Sequence, residues 1–172
     1  FANEKTEPFA NKWDQEKILP VDVLREAASL GLGGIYIPEK LGGTGLGRLD
    51  AAIIFEELST ACPSTAAFLS IHNMATWMIS KYGSNYHFDN YLTKLISMEL
   101  ISSYCLTEPT AGSDANSGKT KAVLSDDGSH YKITGQKMWI SNAGFADIFI
   151  VFARIEDDKN ITAFIVPNDS NN

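Results

Sequence analysis

Met98–Thr107 reads MELISSYCLT, and the chain changes character inside it. Before this stretch apolar residues recur at helical spacing; from about Ser102 onward, short apolar or alternating runs are separated by turn signals. Those runs are Tyr104 to Thr107, Lys119 to Ser125, His130 to Thr134, Lys137 to Ser141, Ile148 to Arg154 and Thr162 to Val166, each read as a strand, with Asp127-Gly128 as a hairpin turn. Working back from Met98, a helix carries Tyr91, Leu92, Leu95, Ile96 and Met98. An earlier helix, N-capped by Ser64 and running to Gly83, lines up Phe68, Ile71, Ala75, Met78, Ile79 and Tyr82, while Leu69 and Trp77 add apolar surface elsewhere. Ala51, Ile54, Phe55 and Leu58 mark another, ended by Cys62-Pro63. Val21 to Leu30 marks the first, with Val23, Leu24, Ala27, Ala28 and Leu30 on its stripe and Gly31 as its stop. Four helices followed by six strands, without β-α-β alternation, predict an α+β fold. An N-terminal helical domain is expected over residues 1–101 and a β-domain over residues 102–172. The last strand ends near Pro167, so the sheet is expected to be incomplete, with an edge that further chain would cover.

The 172 residues, 44% hydrophobic, 10% aromatic and 20% charged, describe a globular protein with a core. Fourteen Lys and Arg against 21 Asp and Glu give a net charge of −7, which argues against a broad cationic surface for nucleic acid or anionic lipid. The two cysteines, Cys62 and Cys105, form no CxxC or Cys/His cluster, so neither a disulfide framework nor a metal site is expected. No apolar run reaches the length of a membrane span. The chain begins at Phe1 without a signal peptide or presequence and is expected to be processed or shortened. Asn160-Ile161-Thr162 and Asn168-Asp169-Ser170 fit the glycosylation sequon, but without a secretory signal no glycan is expected.

Two glycine-rich stretches invite nucleotide readings that their spacing refuses. LGGTGLG at Leu41 to Gly47 fails the GxGxxG pattern, because Asp50 or Arg48 stands where the third glycine belongs; an interhelical loop accounts for it. GSDANSGKT at Gly112 to Thr120 has five residues between its glycines where a phosphate-binding P-loop has four, and a strand follows instead of a helix. His72 reads as a hydrogen-bonded structural residue, and Glu56-Glu57 as solvated helix acids without a second carboxylate to form a dyad.

Trp139 has company that suggests a ligand. On a strand, alternation places Trp139 and Ser141 on one face and Ile140 on the other, so a flat aromatic and a hydroxyl point together. Such a pair suits a planar heteroaromatic ring. Upstream, Tyr104-Cys105-Leu106-Thr107 opens into Glu108-Pro109-Thr110-Ala111-Gly112-Ser113-Asp114, where small residues let backbone amides approach a phosphate.

YCLTEPTAGSD at Tyr104 to Asp114 and GQKMWISNAG at Gly135 to Gly144 closely resemble the two flavin-binding signatures of the acyl-CoA dehydrogenases. The N-terminal half also resembles that family, and most of all its isobutyryl-CoA branch, through WDQ at Trp13, PVDV at Pro20, LGLGGIYI at Leu30, GLGRLD at Gly45 and SIHNM at Ser70. Thr110 stands where the family usually has glycine. The resemblance implies a helical domain and a middle β-domain that bind FAD and an acyl-CoA thioester, ahead of a C-terminal helical bundle. It implies cofactor contacts from Tyr104, Cys105, Leu106, Thr107, Gly112, Ser113, Trp139, Ile140 and Ser141, with Ser113 also near the CoA arm and the SIHNM helix walling the acyl pocket.

The implied reaction is α,β-dehydrogenation of a short, branched acyl-CoA to the trans-enoyl-CoA, as in valine degradation. A carboxylate removes the α-proton and a hydride leaves the β-carbon for FAD. In the family that base belongs to the C-terminal domain, so no catalytic residue is assigned here, and the 172-residue chain alone is expected to turn over no substrate and to hold FAD weakly. The resemblance further implies a homo-tetramer, an electron-transfer flavoprotein as acceptor, and the mitochondrial matrix in a eukaryote or the cytoplasm in a bacterium. The alternatives are an acyl-CoA oxidase or flavin monooxygenase of the same fold, and a non-catalytic interaction module.

Overall fold

A computed structural model describes residues 1–156 and 158–168. The second sequon's Asp169 and Ser170 lie outside the described residues. The chain divides into two compact units, one over Phe1–Ser102 and one beginning at Ser103.

The first unit is helical. A π-helical segment (Ala2–Thr6) leads into α1 (Glu7–Glu16), followed by α2 (Val21–Ser29), α3 (Arg48–Ala61) and the long α4 (Pro63–Tyr82). A last helical run comprises α5 (Asn85–His87), a π turn (Phe88–Leu92) and α6 (Thr93–Ile96). The chain reverses at Met98, which takes a φ of 55°. Cys62 rather than Ser64 caps α4, because Pro63 fits the first helical position, where no amide hydrogen is needed. The core gathers Leu24, Ile35, Ile37, Leu69, Ile79, Leu92, Leu95 and Ile101, all at most 2% exposed.

α4 also buries polar side chains, each of which ties a separate segment to the helix. Asn73 Oδ1 accepts the Ile35 amide (2.8 Å), and Nδ2 donates to the carbonyls of Leu32 (2.7 Å) and Leu69 (2.9 Å). His72 Nε2 meets the Leu95 carbonyl at 2.8 Å, and its Nδ1 accepts the Ser102 amide at 3.1 Å. Burial pushes the His72 ring down to about 4, against a smaller upward pull from the Leu95 carbonyl, so the imidazole is neutral and donates from Nε2. It is a structural residue. The glycine-rich loop is an interhelical turn: a Cβ on Gly43 would lie 2.3 Å from the Ile37 carbonyl oxygen, so only glycine permits this approach.

The second unit is a five-stranded sheet of β1 (Ser102–Cys105), β2 (Lys121–Leu124), β3 (Tyr131–Thr134), β4 (Ile148–Ile155) and β5 (Thr162–Pro167), in the order β1-β4-β2-β3 with β5 also on β4. β4 runs antiparallel to β5, from Ile148↔Pro167 to Ala153↔Thr162, and parallel to β2 at Lys121↔Arg154. β2 and β3 form the hairpin expected at Asp127-Gly128, where Gly128 takes a φ of 69°. Ile148, Ile150 and Ala153 turn inward from β4.

The segment Lys137 to Ser141 is not a strand, contrary to the sequence reading. Trp139 and Asn142 take φ values of 59° and 68°, which no extended strand accommodates. The alternation that set Trp139 and Ser141 on one face therefore does not apply.

Candidate functional site

β1 delivers Tyr104 and Cys105, and the chain leaves the sheet at Leu106. Glu108 and Ala111 then exchange both backbone hydrogen bonds (3.0 and 3.1 Å), closing a tight turn through Pro109 and Thr110. Thr110 is not among the residues with positive φ, so this turn does not require a glycine there. Beyond it, Gly112 and Ser113 are exposed, and a Cβ on Gly112 would meet nothing within 4 Å. The approach to this backbone is open.

The segment 137–141 lies along the same stretch. The Met138 amide donates to the Thr107 carbonyl (2.9 Å), and Ser103 Oγ donates to the Ser141 carbonyl (2.5 Å). Lys137 Nζ donates to the Leu106 carbonyl (3.0 Å) and to Glu108 Oε1 (2.8 Å). The two signature stretches are thus brought together without a ladder. Trp139 stands 84% exposed at their junction. The hydroxyls of Thr107 and Ser141, both half-buried, have no hydrogen-bond partner among the described residues.

Not every expected residue offers its side chain. Cys105 is 4% exposed, and burial raises its thiol, opposed in part by Ser103 and Lys137. Tyr104 packs on Phe152 with ring centroids 4.9 Å apart. The Cys105 side chain is therefore not offered to a ligand. Ile140 is half-buried, its carbonyl accepting the Ala143 amide at 3.3 Å.

The sequence reading missed Glu108 and Lys137 as an interacting pair, although both sit inside the stretches it quoted. Glu108 accepts the amides of Lys119 (2.5 Å) and Thr120 (3.1 Å) besides Lys137. Burial works to raise its carboxyl, but Lys137 and the donors at Thr120 and Lys119 outweigh it and hold it at about 2. Arg154 was missed as well. It donates to the carbonyls of Gly118 (3.2 Å), Asn116, Asp158 and Lys159, so it holds the loop after Ser113 against the end of β4.

A cavity of about 240 Å³ is lined by Glu108, Pro109, Thr110, Lys119, Thr120, Gly135 and Gln136. Cavities of about 290 and 530 Å³ in the helical unit involve none of the expected ligand residues. The geometry of the loops, not the size of a cavity, marks the site. Among the described residues no cluster of His, Cys, Asp and Glu is arranged to hold a metal, and no helix is long and apolar enough to cross a membrane.

Comparison with known proteins gives a family match along both units. The family model described as acyl-CoA dehydrogenase, N-terminal domain, matches residues 1–99, and the one described as acyl-CoA dehydrogenase, middle domain, matches residues 103–172. The chain is 50% identical to the mitochondrial isobutyryl-CoA dehydrogenase of Dictyostelium discoideum, over 99% of its own length and 41% of that protein. It is 48% identical to the mitochondrial isobutyryl-CoA dehydrogenase of Bos taurus, over 90% of its length and 36% of that protein. A solved acyl-CoA dehydrogenase from Bacillus anthracis, complexed with FAD, superposes with a TM-score of 0.86 at 38% identity, covering 94% of this chain and 28% of that one. The chain therefore spans about two fifths of the length of the curated relatives it matches.

Proposed function

The chain belongs to the acyl-CoA dehydrogenase family, and on that premise we propose that it supplies the flavin-facing part of an enzyme that dehydrogenates a short, branched acyl-CoA between its α- and β-carbons. The observation that carries this reading is the junction of Tyr104–Thr107 with residues 137–141, where an indole stands out of the fold beside two uncommitted hydroxyls. This surface fits a flat, polar-edged ring. Trp139 covers the ring, Thr107 and Ser141 offer hydroxyls to its edge, and the backbone of Tyr104, Cys105, Leu106 and Ile140 borders it. Gly112 and Ser113 hold the phosphate end, with Ser113 serving the CoA arm as well.

When bound, FAD supplies an acceptor for the hydride that leaves the β-carbon. The proton at the α-carbon needs a carboxylate with a lone pair to spare. Glu108, the one buried carboxylate among the described residues, is already engaged by three donors, the Lys137 ammonium and two backbone amides, which hold it as a structural anion and not as a base. We assign the base to no residue named here. By their names the relatives from Dictyostelium discoideum and Bos taurus are mitochondrial proteins, and we place this one in the matrix if its source is eukaryotic and in the cytoplasm if bacterial. An electron-transfer flavoprotein is the proposed acceptor, and a homo-tetramer the proposed assembly.

Titration with FAD, followed by quenching of flavin fluorescence, tests the reading. Saturable uptake is expected, about tenfold weaker for W139A because a stacked aromatic contact is lost. Isobutyryl-CoA is then expected to perturb the absorption band of the bound flavin. Absence of saturable uptake overturns the proposal.

A further inference from the structure

The Lys137–Glu108 pair is an expensive way to fill this place. Its side chains are 14% and 5% exposed, and a buried ion pair often contributes no more stability than apolar residues of the same volume. What such a pair does supply is direction. Lys137 stands two residues before Trp139, and Glu108 directly follows Thr107. The ammonium grips the Leu106 carbonyl and the carboxylate together. The carboxylate in turn takes the amides of Lys119 and Thr120, beyond the Gly112-Ser113 stretch. One ion pair thereby indexes three pieces of chain that local structure does not connect.

The consequence falls on a single amide. In a trans peptide the C=O of one residue and the N–H of the next point in opposite directions, and the structure has no cis peptide bond among the described residues. Holding the Leu106 carbonyl toward Lys137 therefore aims the Thr107 N–H away from Lys137. The Thr107 carbonyl is fixed separately, by the Met138 amide. Both peptide planes that flank Thr107 are set from the 137–138 side.

We propose that Lys137, held in place by Glu108, is a positioning residue for the flavin: by gripping the Leu106 carbonyl it orients the Thr107 N–H and hydroxyl toward the ring without touching the ring itself. This role rests on the flavin reading above. It predicts that Lys137 acts on cofactor affinity and electronics, not only on the stability of the β-unit. The charge of the pair matters as well, since the two partners cancel beside the ligand.

Three variants, each checked for folding by far-UV circular dichroism, test it. K137M is expected to weaken FAD binding about tenfold, the scale of one lost charge-assisted hydrogen bond, and K137R to recover affinity to within about threefold of wild type. E108Q and K137M are expected to move the reduction potential of the bound flavin in opposite directions, because one leaves an uncompensated ammonium and the other an uncompensated carboxylate. Wild-type FAD affinity in folded K137M overturns the positioning role, as do potentials that stay put or shift the same way. If K137M does not fold, K137Q replaces it with the same expectations. A wild-type protein that takes up no FAD overturns the flavin reading itself, and the positioning role with it; wild-type uptake with an indifferent K137M overturns the positioning role alone.

Discussion

Trp139 combines two unfavourable states in one residue. Its indole is 84% exposed, and its backbone sits at a φ of 59°, where a side chain crowds the neighbouring carbonyl at a cost of about 1–2 kcal/mol. A ligand laid on the indole would remove apolar surface from water, which is the physical reason an exposed, strained aromatic points to a binding role. The two contributions can be separated. W139G should be more stable than W139A by about 1 kcal/mol in urea denaturation, because glycine accepts positive φ and alanine does not, while both variants lose FAD affinity. Equal stability of the two would mean that the backbone does not hold this conformation. Glu108 and Lys137 show the limit of residue-level reading: each is a charged residue in an otherwise small or apolar stretch, but nothing in the order of residues says that two charges so far apart share one hydrogen-bond network.

At the scale of elements, α4 departs most from its sequence pattern. The apolar spacing of Phe68, Ile71, Ala75, Met78, Ile79 and Tyr82, with Leu69 and Trp77 outside it, suggests a helix buried on most sides by apolar residues, whereas Tyr82 is 72% exposed and the polar His72, Asn73 and Thr76 are fully buried. The polar residues face inward because they have backbone partners there, which periodicity does not count. Asn73 makes three such bonds, so N73A leaves an amide and two carbonyls without this partner. A loss of about 2–4 kcal/mol is expected in urea denaturation, with the damage centred on residues 32–35 in hydrogen exchange. α1 was not foreseen for the opposite reason: none of its residues is buried, so no stripe marked it. The loop at 137–141 has strand-like composition, but its backbone partners lie on residues 103 and 107, and that long-range bonding overrides local propensity.

Over the whole molecule, two buried titratable groups contribute to the response to acid. His72 has a folded value of about 4 against an ordinary 6.5, so its contribution is complete above pH 6.5 and fades as pH falls toward 4, when the unfolded chain takes up a proton that the fold refuses. Glu108, at about 2 against 4.5, contributes fully above pH 4.5, and that share is lost as pH falls toward 2. The His72 loss amounts to about 3 kcal/mol. The melting temperature should therefore fall in two successive ranges. H72Q, which cannot protonate, should flatten the first range and leave the second; a wild-type melting temperature that stays constant between pH 6.5 and 4 would contradict the buried neutral imidazole.

Read alone, the sequence determined that helices precede a sheet, that Leu24, Ala27 and Ala28 face inward from α2 although Leu30 does not, that a hairpin closes at Asp127-Gly128, and that two separated stretches resemble the signatures of one family. These are local properties: side-chain period, turn residues and motif spacing all act within a few positions of the chain. Only the tertiary structure decided the left-handed turn at Trp139, the inward polar face of α4, and the joining of Lys137 to Glu108 and the Leu106 carbonyl. Each of those depends on a partner brought close by folding, and the free energy of satisfying a buried polar group is decided by where its partner ends up in space.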